Sequence, residues 1–294
     1  MQPLIIEAAL NESVTRQQNP HVPLSQEQLV AQAVECARAG ASLVHFHARD
    51  PQTGEQRWRD AGFYAETFAA IRRQTDAILY PGYPTRLDAP VQERFTHLVE
   101  LAKQRNVRLE VEPIEIGTGL ISPYDRGRKT FPDLDAAYVH TYRDTMYTLD
   151  LLRDLDIKPL FCIHEAADVR AALCYLDMGL AQAPLFFKYF FWDDLPVGLP
   201  PRPSSIQVLE SLVEGVPHQW MHQCYGPSWK ALERYSIASA GHTRAGLGDN
   251  PEPKSEHPPT NRETVERVVA LARELGRQVA TPADARGLLG LRDQ

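Results

Sequence analysis

The chain has 294 residues, a net charge of −7 and a pI near 5.8, with 43% hydrophobic and 23% charged residues. That acidity argues against nucleic acid as the main partner, because such binding rests on releasing counterions from phosphates to clustered Lys and Arg, although a local basic cluster can still hold a phosphorylated small molecule. The opening MQPLIIEAALNES lacks a basic segment and a long apolar run, and no stretch approaches the ~18 apolar residues of a membrane span; four scattered cysteines (Cys36, Cys162, Cys174, Cys224) show no CxxC spacing, so a cytoplasmic protein with reduced thiols and no membrane contact is expected.

Short apolar runs alternate with amphipathic stretches along the whole chain. LIIEAAL (4–10) reads as a strand. Ser25, with Gln28 three residues on, reads as a capping box opening a helix that Gly40 stops. Strands follow at 42–48, 76–81, 107–116, 158–164, 183–192, 218–225 and 241–249, separated by helical patterns at 60–75, 88–105, 135–155, 166–180, 204–214 and 227–239. Helices at 261–276 and 282–289 close the chain. Eight strands each followed by a helix call for a parallel sheet, and eight repeats in this length predict a single (β/α)₈ TIM-barrel domain over 1–294. An open doubly wound sheet is the alternative, weakened because no GxGxxG follows the first strand. Long loops at 117–134, 193–203 and 249–260 all follow strands, so in a barrel they lie on the active-site face.

The second strand ends in HFHARD (45–50). Side chains alternate along a strand, so His45 and His47 share a face that Phe46 does not. If Val44 and Phe46 face the helices, both imidazoles face the barrel interior near its mouth, where they can bind one transition metal. The alternative is a pair of hydrogen-bonded core histidines. If Ile6, Ala8 and Leu10 of the first strand face the helices, then Ile5, Glu7, Ala9 and Asn11 face inward. In a closed barrel the first strand stands between the eighth and the second, so Glu7 is expected either as a third metal ligand or as the partner of an interior Arg or Lys, since a buried unpaired carboxylate is costly.

ALNESVTRQQNPHVPLS, then AGASLVHFHARD, then GHTRAGLGDN, in this order over essentially the whole chain, resembles the β-keto acid cleavage enzymes, of which 3-keto-5-aminohexanoate cleavage enzyme is the best-known type. The resemblance implies a zinc-binding TIM barrel that condenses a β-keto acid with acetyl-CoA, releasing acetoacetate and a new acyl-CoA, as a homotetramer or homodimer. Zn²⁺ or another divalent metal would sit on His45 and His47. Arg244 matches an arginine that holds the keto-acid carboxylate, and Asp249 an aspartate that activates substrate. The chain departs from the pattern in three places. The glutamate before the aspartate, the family's third zinc ligand, is Gly248 here; the common Asn-Gly or Thr-Gly of the N-terminal loop is Asn11-Glu12; and a serine-bearing loop after the third strand is Tyr80-Pro81-Gly82-Tyr83.

Asn11, Arg244, Glu115 and Thr118 are the expected substrate contacts, Arg244 and Asp249 the expected catalytic pair, and His45, His47 and Glu7 the expected metal set. Glu110 and Glu112 read as structural ion pairs. Lys188, charged within LFFKYFFW, is expected to pair with Glu115 or Glu7. Asp50 is expected to pair with Arg49 or to hold a zinc histidine. Arg126, Arg128 and Lys129 read either as contacts for CoA phosphates or as a solvated cluster, and Trp192 and Trp229 as packing. Three other functions compete: an amidohydrolase-type hydrolase using HxH with His164, His222 and Asp249; an aldolase with Lys188 as Schiff base; and, because of Gly248, a metal-free binding barrel.

Overall fold

The structure, a computed structural model, describes residues 1–82, 89–104, 107–252 and 256–291. In chain order the strands are β1 (Ile6–Ala9), β2 (Leu43–Phe46), β3 (Ile78–Pro81), β4 (Val111–Glu115), β5 (Gly119–Leu120), β6 (Ala137–Tyr138), β7 (Lys158–Ile163), β8 (Leu185–Trp192), β9 (His218–Tyr225) and β10 (His242–Ala245). Eight of them form one parallel sheet in the order β3-β2-β1-β10-β9-β8-β7-β4, and β3 and β4 bring its two ends together in a nearly closed TIM barrel. β5 and β6 pair separately as an antiparallel hairpin beyond the end of β4.

Both faces of each barrel strand are buried, which is why β8 reads as an almost unbroken apolar run. Phe187, Tyr189 and Phe191 face the outer helices, while Phe186 joins Ile5, Leu43, Ile78, Tyr80, Val111, Leu160 and Met221 inside the barrel. Alternation thus sends Lys188 inward. The helices are α1 (Gln26–Ala39), α2 (Ala61–Arg72), α3 (Val91–Arg94), α4 (Thr96–Ala102), α5 (Tyr142–Asp154), α6 (Ala166–Asp177), α7 (Pro203–Ser211), α8 (Trp229–Ala238), α9 (Asn261–Glu274) and α10 (Pro282–Leu289). Ala285 and Leu289 of α10 pack into the interior cluster and plug one end of the barrel, so the strands' C-terminal ends are left for chemistry.

The capping box at Ser25 and Gln28 forms as expected. Two helical expectations are revised. The stretch 88–105 is split into α3 and α4 because Phe95, at φ −110° and ψ 9°, leaves helical geometry. The stretch 135–155 turns helical only at Tyr142, since Ala137–Tyr138 is taken up by the hairpin with β5. No described helix is long and apolar enough to cross a membrane.

Candidate metal centre and active site

His45 and His47 do project inward at the mouth, and each ring is oriented through its Nδ1. His45 Nδ1 lies 3.3 Å from the Tyr80 carbonyl and stacks on the Tyr80 ring with centroids 4.6 Å apart. His47 Nδ1 lies 2.9 Å from Gln56 Oε1, and Gln56 Nε2 donates to the Glu12 carbonyl, which fixes which end of the amide meets the imidazole. Both Nδ1 positions must therefore carry a proton, and both Nε2 atoms point onward. They point at one carboxylate. Glu12 Oε1 is 2.8 Å from His45 Nε2, and Glu12 Oε2 is 2.8 Å from His47 Nε2.

That convergence is a test of whether a cation belongs there. Burial drives the His45 pKa down to about 4, against the pull of Glu12, so His45 is neutral near pH 7 and its Nε2 faces a carboxylate oxygen with no proton between them. Acceptor against acceptor at 2.8 Å is repulsive unless a positive charge intervenes. Among the described residues Glu12, His45 and His47 are the group whose ligand atoms all lie within 4.8 Å of one another. Two imidazoles and one carboxylate are a donor set used by catalytic zinc. The residues present fit a divalent metal.

The β1 end is shaped to deliver Glu12. Asn11 is fully buried: its amide donates to the His47 and Pro23 carbonyls and its oxygen accepts the His47 N–H at 2.9 Å. Arg49 ties down the same loop through the Asn11 and Val14 carbonyls. Glu12 itself has φ +34°, in the left-handed region that a side chain enters at a cost on the order of 1–2 kcal/mol. Gly82 follows β3 so closely that a Cβ there would run into the His47 ring.

Beneath this layer lies a buried ionic cluster. Arg244 on β10 holds Asp249 with two bonds, Nε to Oδ2 at 2.7 Å and Nη2 to Oδ1 at 2.9 Å. It also meets Glu12 through Nη2 and Glu7 Oε1 through Nη1 at 2.5 Å. Lys188 donates to Glu7 Oε1 at 3.0 Å and to the Tyr80 hydroxyl at 2.8 Å. Gln223 donates to Asp249 Oδ1. Burial raises the Asp249 pKa above the ordinary aspartate value even though Arg244 pulls it down.

The comparisons with known proteins converge on one family. The profile described as beta-keto acid cleavage enzyme matches residues 3–291. The chain belongs to the β-keto acid cleavage enzyme family. It is 28% identical over 299 residues, 99% of each chain, to a 3-keto-5-aminohexanoate cleavage enzyme of Fusobacterium nucleatum. It is 27% identical to a 3-oxoadipate:acetyl-CoA acetyltransferase of Cupriavidus necator, covering 99% of this chain and 95% of that one. Among solved structures, a binary complex of ObcA with oxaloacetate superposes with a TM-score of 0.72 at 17% identity over 93% of this chain and 68% of that one, a likeness of fold.

In this cleavage-family chain Glu7, expected either as a third metal ligand or as the partner of an interior Arg or Lys, takes the second role. Glu7 is not beside the histidines. In the strand register it stands next to Leu43 and Arg244, whereas His45 stands next to Ala9, two residues or about 6.6 Å further along the strand. Glu7 is the partner of Lys188 and Arg244, and the carboxylate on the histidines is Glu12. Arg244 does not offer a free bidentate edge to a substrate carboxylate, because Nε and Nη2 already grip Asp249. Asn11 clips β1 to β2 with its whole amide. The Thr118 hydroxyl both donates to and accepts from the His140 backbone. Glu115 pairs with His164, at 2.8 Å, on the wall across from β1. The charge of Glu115 overcomes burial and raises the His164 pKa.

His222 shares the outward face of β9 with Trp220 and Cys224, so it leaves the site and removes a histidine the hydrolase reading needs. Asp50 caps a turn by accepting the Gln52 and Thr53 N–H groups instead of holding a histidine. Glu110 does pair, with Arg108 and Arg286, but neither oxygen of buried Glu112 has a partner among the described residues, and burial raises its pKa well above the usual range. Arg126, Arg128 and Lys129 are exposed. Trp192 stacks on Tyr225 at 4.2 Å, and Trp229 packs under Arg267. Tyr83 lies outside the described residues. Sequence reasoning noticed Glu12 only as a departure in the loop; a carboxylate gained there while one is lost at Gly248 was the available signal.

Gln56 orients His47 without touching the metal position. A Gln56→Leu substitution leaves the Nδ1 proton without its acceptor and is expected to weaken metal binding roughly 10–100-fold. Competition with a chromophoric chelator measures this directly, and an unchanged affinity would show that His47 is oriented by other contacts.

Proposed function

We propose that this protein uses a divalent metal, zinc by family resemblance, to condense a β-keto acid with acetyl-CoA, giving acetoacetate and a new acyl-CoA. The observation that carries the reading is the meeting of Glu12, His45 and His47 beside the Arg244–Asp249 pair. Relatives support the co-substrate: besides the acetyltransferase above, one of 25% identity in Rhizobium meliloti is a 3-dehydrocarnitine:acetyl-CoA trimethylamine transferase. A homo-oligomeric state and a cytoplasmic location belong to the same reading and rest on the resemblance and the cysteine usage.

Charge supports an anionic substrate. Glu7, Glu12 and Asp249 face two cations, Arg244 and Lys188, so the buried cluster carries one negative charge in excess. A divalent ion reverses that to one positive charge, which a keto-acid carboxylate neutralises; a site left charged in either sense is costly at this depth. The metal supplies Lewis-acid polarisation of the keto acid when bound.

The protein's own residues do the rest. Asp249 takes a proton from C2, between the ketone and the carboxylate, and Arg244 and Gln223 hold it in place. The C2 carbanion attacks the acetyl carbonyl and CoA leaves as thiolate. The thiolate then attacks the original ketone carbon, the C2–C3 bond breaks, and Asp249 returns the proton to C2 of acetoacetate. In this reading Glu115 and His164, paired across the mouth, meet the far end of the keto acid. The exposed Arg126, Arg128 and Lys129, in the segment after β4, meet the CoA phosphates in the same reading.

The test is mass-spectrometric detection of acetoacetate and new CoA esters from acetyl-CoA and a panel of β-keto acids. Turnover should vanish on chelation and return with zinc. Metal-loaded protein that makes no CoA ester from any of them, or that hydrolyses substrate without CoA, would overturn the reading.

A further inference from the structure

We propose that residues 12 and 248 form one shared donor position for the metal, in which only one of the two can carry a side chain, and that this chain fills it from the β1 loop. The inference rests on the metal-dependent reading above and goes beyond it in saying which backbone supplies the carboxylate and why Gly248 is required.

Three observations carry it. First, Glu12 reaches both imidazoles from a backbone at φ +34°, a conformation that favours glycine, so the position is held against its local preference by what the side chain does. Second, a Cβ built on Gly248 would stand 2.7 Å from Glu12 Cγ, with the Ala9 carbonyl oxygen at 3.0 Å. Gly248 has no positive φ, so what bars a side chain there is space, taken up by Glu12 Cγ and by the Ala9 carbonyl. Third, the Gly248 loop is tied to the end of β1, three residues before Glu12, Gly248 N–H donating to the Ala9 carbonyl at 3.0 Å. A side chain rooted at 248 and the Glu12 side chain therefore enter the same space. Glycine belongs at whichever position is not the donor: at 12 because the backbone is left-handed, at 248 because the Glu12 side chain lies across it.

The experiment compares Glu12→Gly, Glu12→Gln, Gly248→Glu and the double variant Glu12→Gly/Gly248→Glu with wild type. It reads zinc per chain after loading and desalting, zinc affinity by chelator competition, and the melting temperature with and without zinc. Wild type should hold about one zinc per chain. Glu12→Gly and Glu12→Gln should bind zinc at least ~100-fold more weakly, while metal-free Glu12→Gly, relieved of its backbone strain, should melt no more than a few degrees from wild type. Gly248→Glu, which forces two side chains into one space, should melt lower. The double variant should recover both zinc and melting temperature, a clear departure from the sum of the single effects. Wild-type zinc affinity in Glu12→Gly, or a double variant no better than Glu12→Gly, overturns this inference and leaves the metal reading standing. A wild type that takes up no zinc overturns the metal reading itself, and the inference with it.

Discussion

Asp249→Asn is expected to lower kcat by roughly 10²–10⁴-fold, the span that a positioned general base contributes. The substitution is nearly isosteric. The amide that replaces the carboxylate would keep a carbonyl oxygen for Arg244, and Arg244 would keep Glu7 and Glu12, so the site should stay assembled. What disappears is the group that takes the C2 proton in the proposed reaction. Asp249 suits that task because burial raises its pKa above the ordinary aspartate value, making it a stronger base, while the Arg244 guanidinium pulls the other way and fixes it in place. The loss should therefore fall on kcat, with zinc content unchanged and KM for the keto acid little altered. Steady-state kinetics on zinc-loaded protein decides it: a variant that keeps more than a tenth of wild-type kcat removes Asp249 from proton transfer, and one that loses zinc assigns it to metal retention instead.

Glu7→Gln should cost about 3–5 kcal/mol of stability at pH 7, the range for removing one partner of a buried ion pair, because Lys188 and part of Arg244 are left without their anion. Its pH dependence carries the diagnosis. Burial alone would raise the Glu7 pKa, but Lys188 and Arg244 outweigh it and bring it from 4.5 to about 2. The unfolded state therefore binds the proton first. The stabilisation is complete above pH 4.5 and fades as pH falls toward about 2. Denaturant titrations of wild type and variant from pH 7 downward should show a constant gap to about pH 4.5 and a narrowing one below it. Equal stability at pH 7, or a gap that widens on acidification, would mean that Glu7 does not hold the cluster together. Zinc affinity should change far less than in the Glu12 variants, since Glu7 stands a strand layer beneath the histidines.

Much of this protein is legible before folding is considered. The alternation of apolar strands with amphipathic helices counts to eight, because burying both faces of a parallel sheet writes itself into composition and period. The same period of two puts His45 and His47 on one face and Lys188 inside the barrel, and both placements hold. Parity also put Glu7 in the interior correctly, yet it assigns a face and says nothing about depth. Depth is set by the stagger between neighbouring strands, which places Glu7 level with Leu43 and Ala9 level with His45.

The carboxylate that completes the donor set comes from a loop. Loops have no period, and where Glu12 points depends on Asn11 being clipped to His47, on Arg49 holding the Asn11 and Val14 carbonyls, and on the space that Gly248 leaves. The first of those contacts spans 36 residues, and the last joins the β1 loop to the far end of the chain. Local sequence thus determined the barrel, the paired histidines and the interior lysine, since each follows from periodicity within a few residues. Tertiary structure alone decided which carboxylate meets the histidines and which buried charge pairs with which, because those choices rest on the register of distant strands and on a contact between the two ends of the chain.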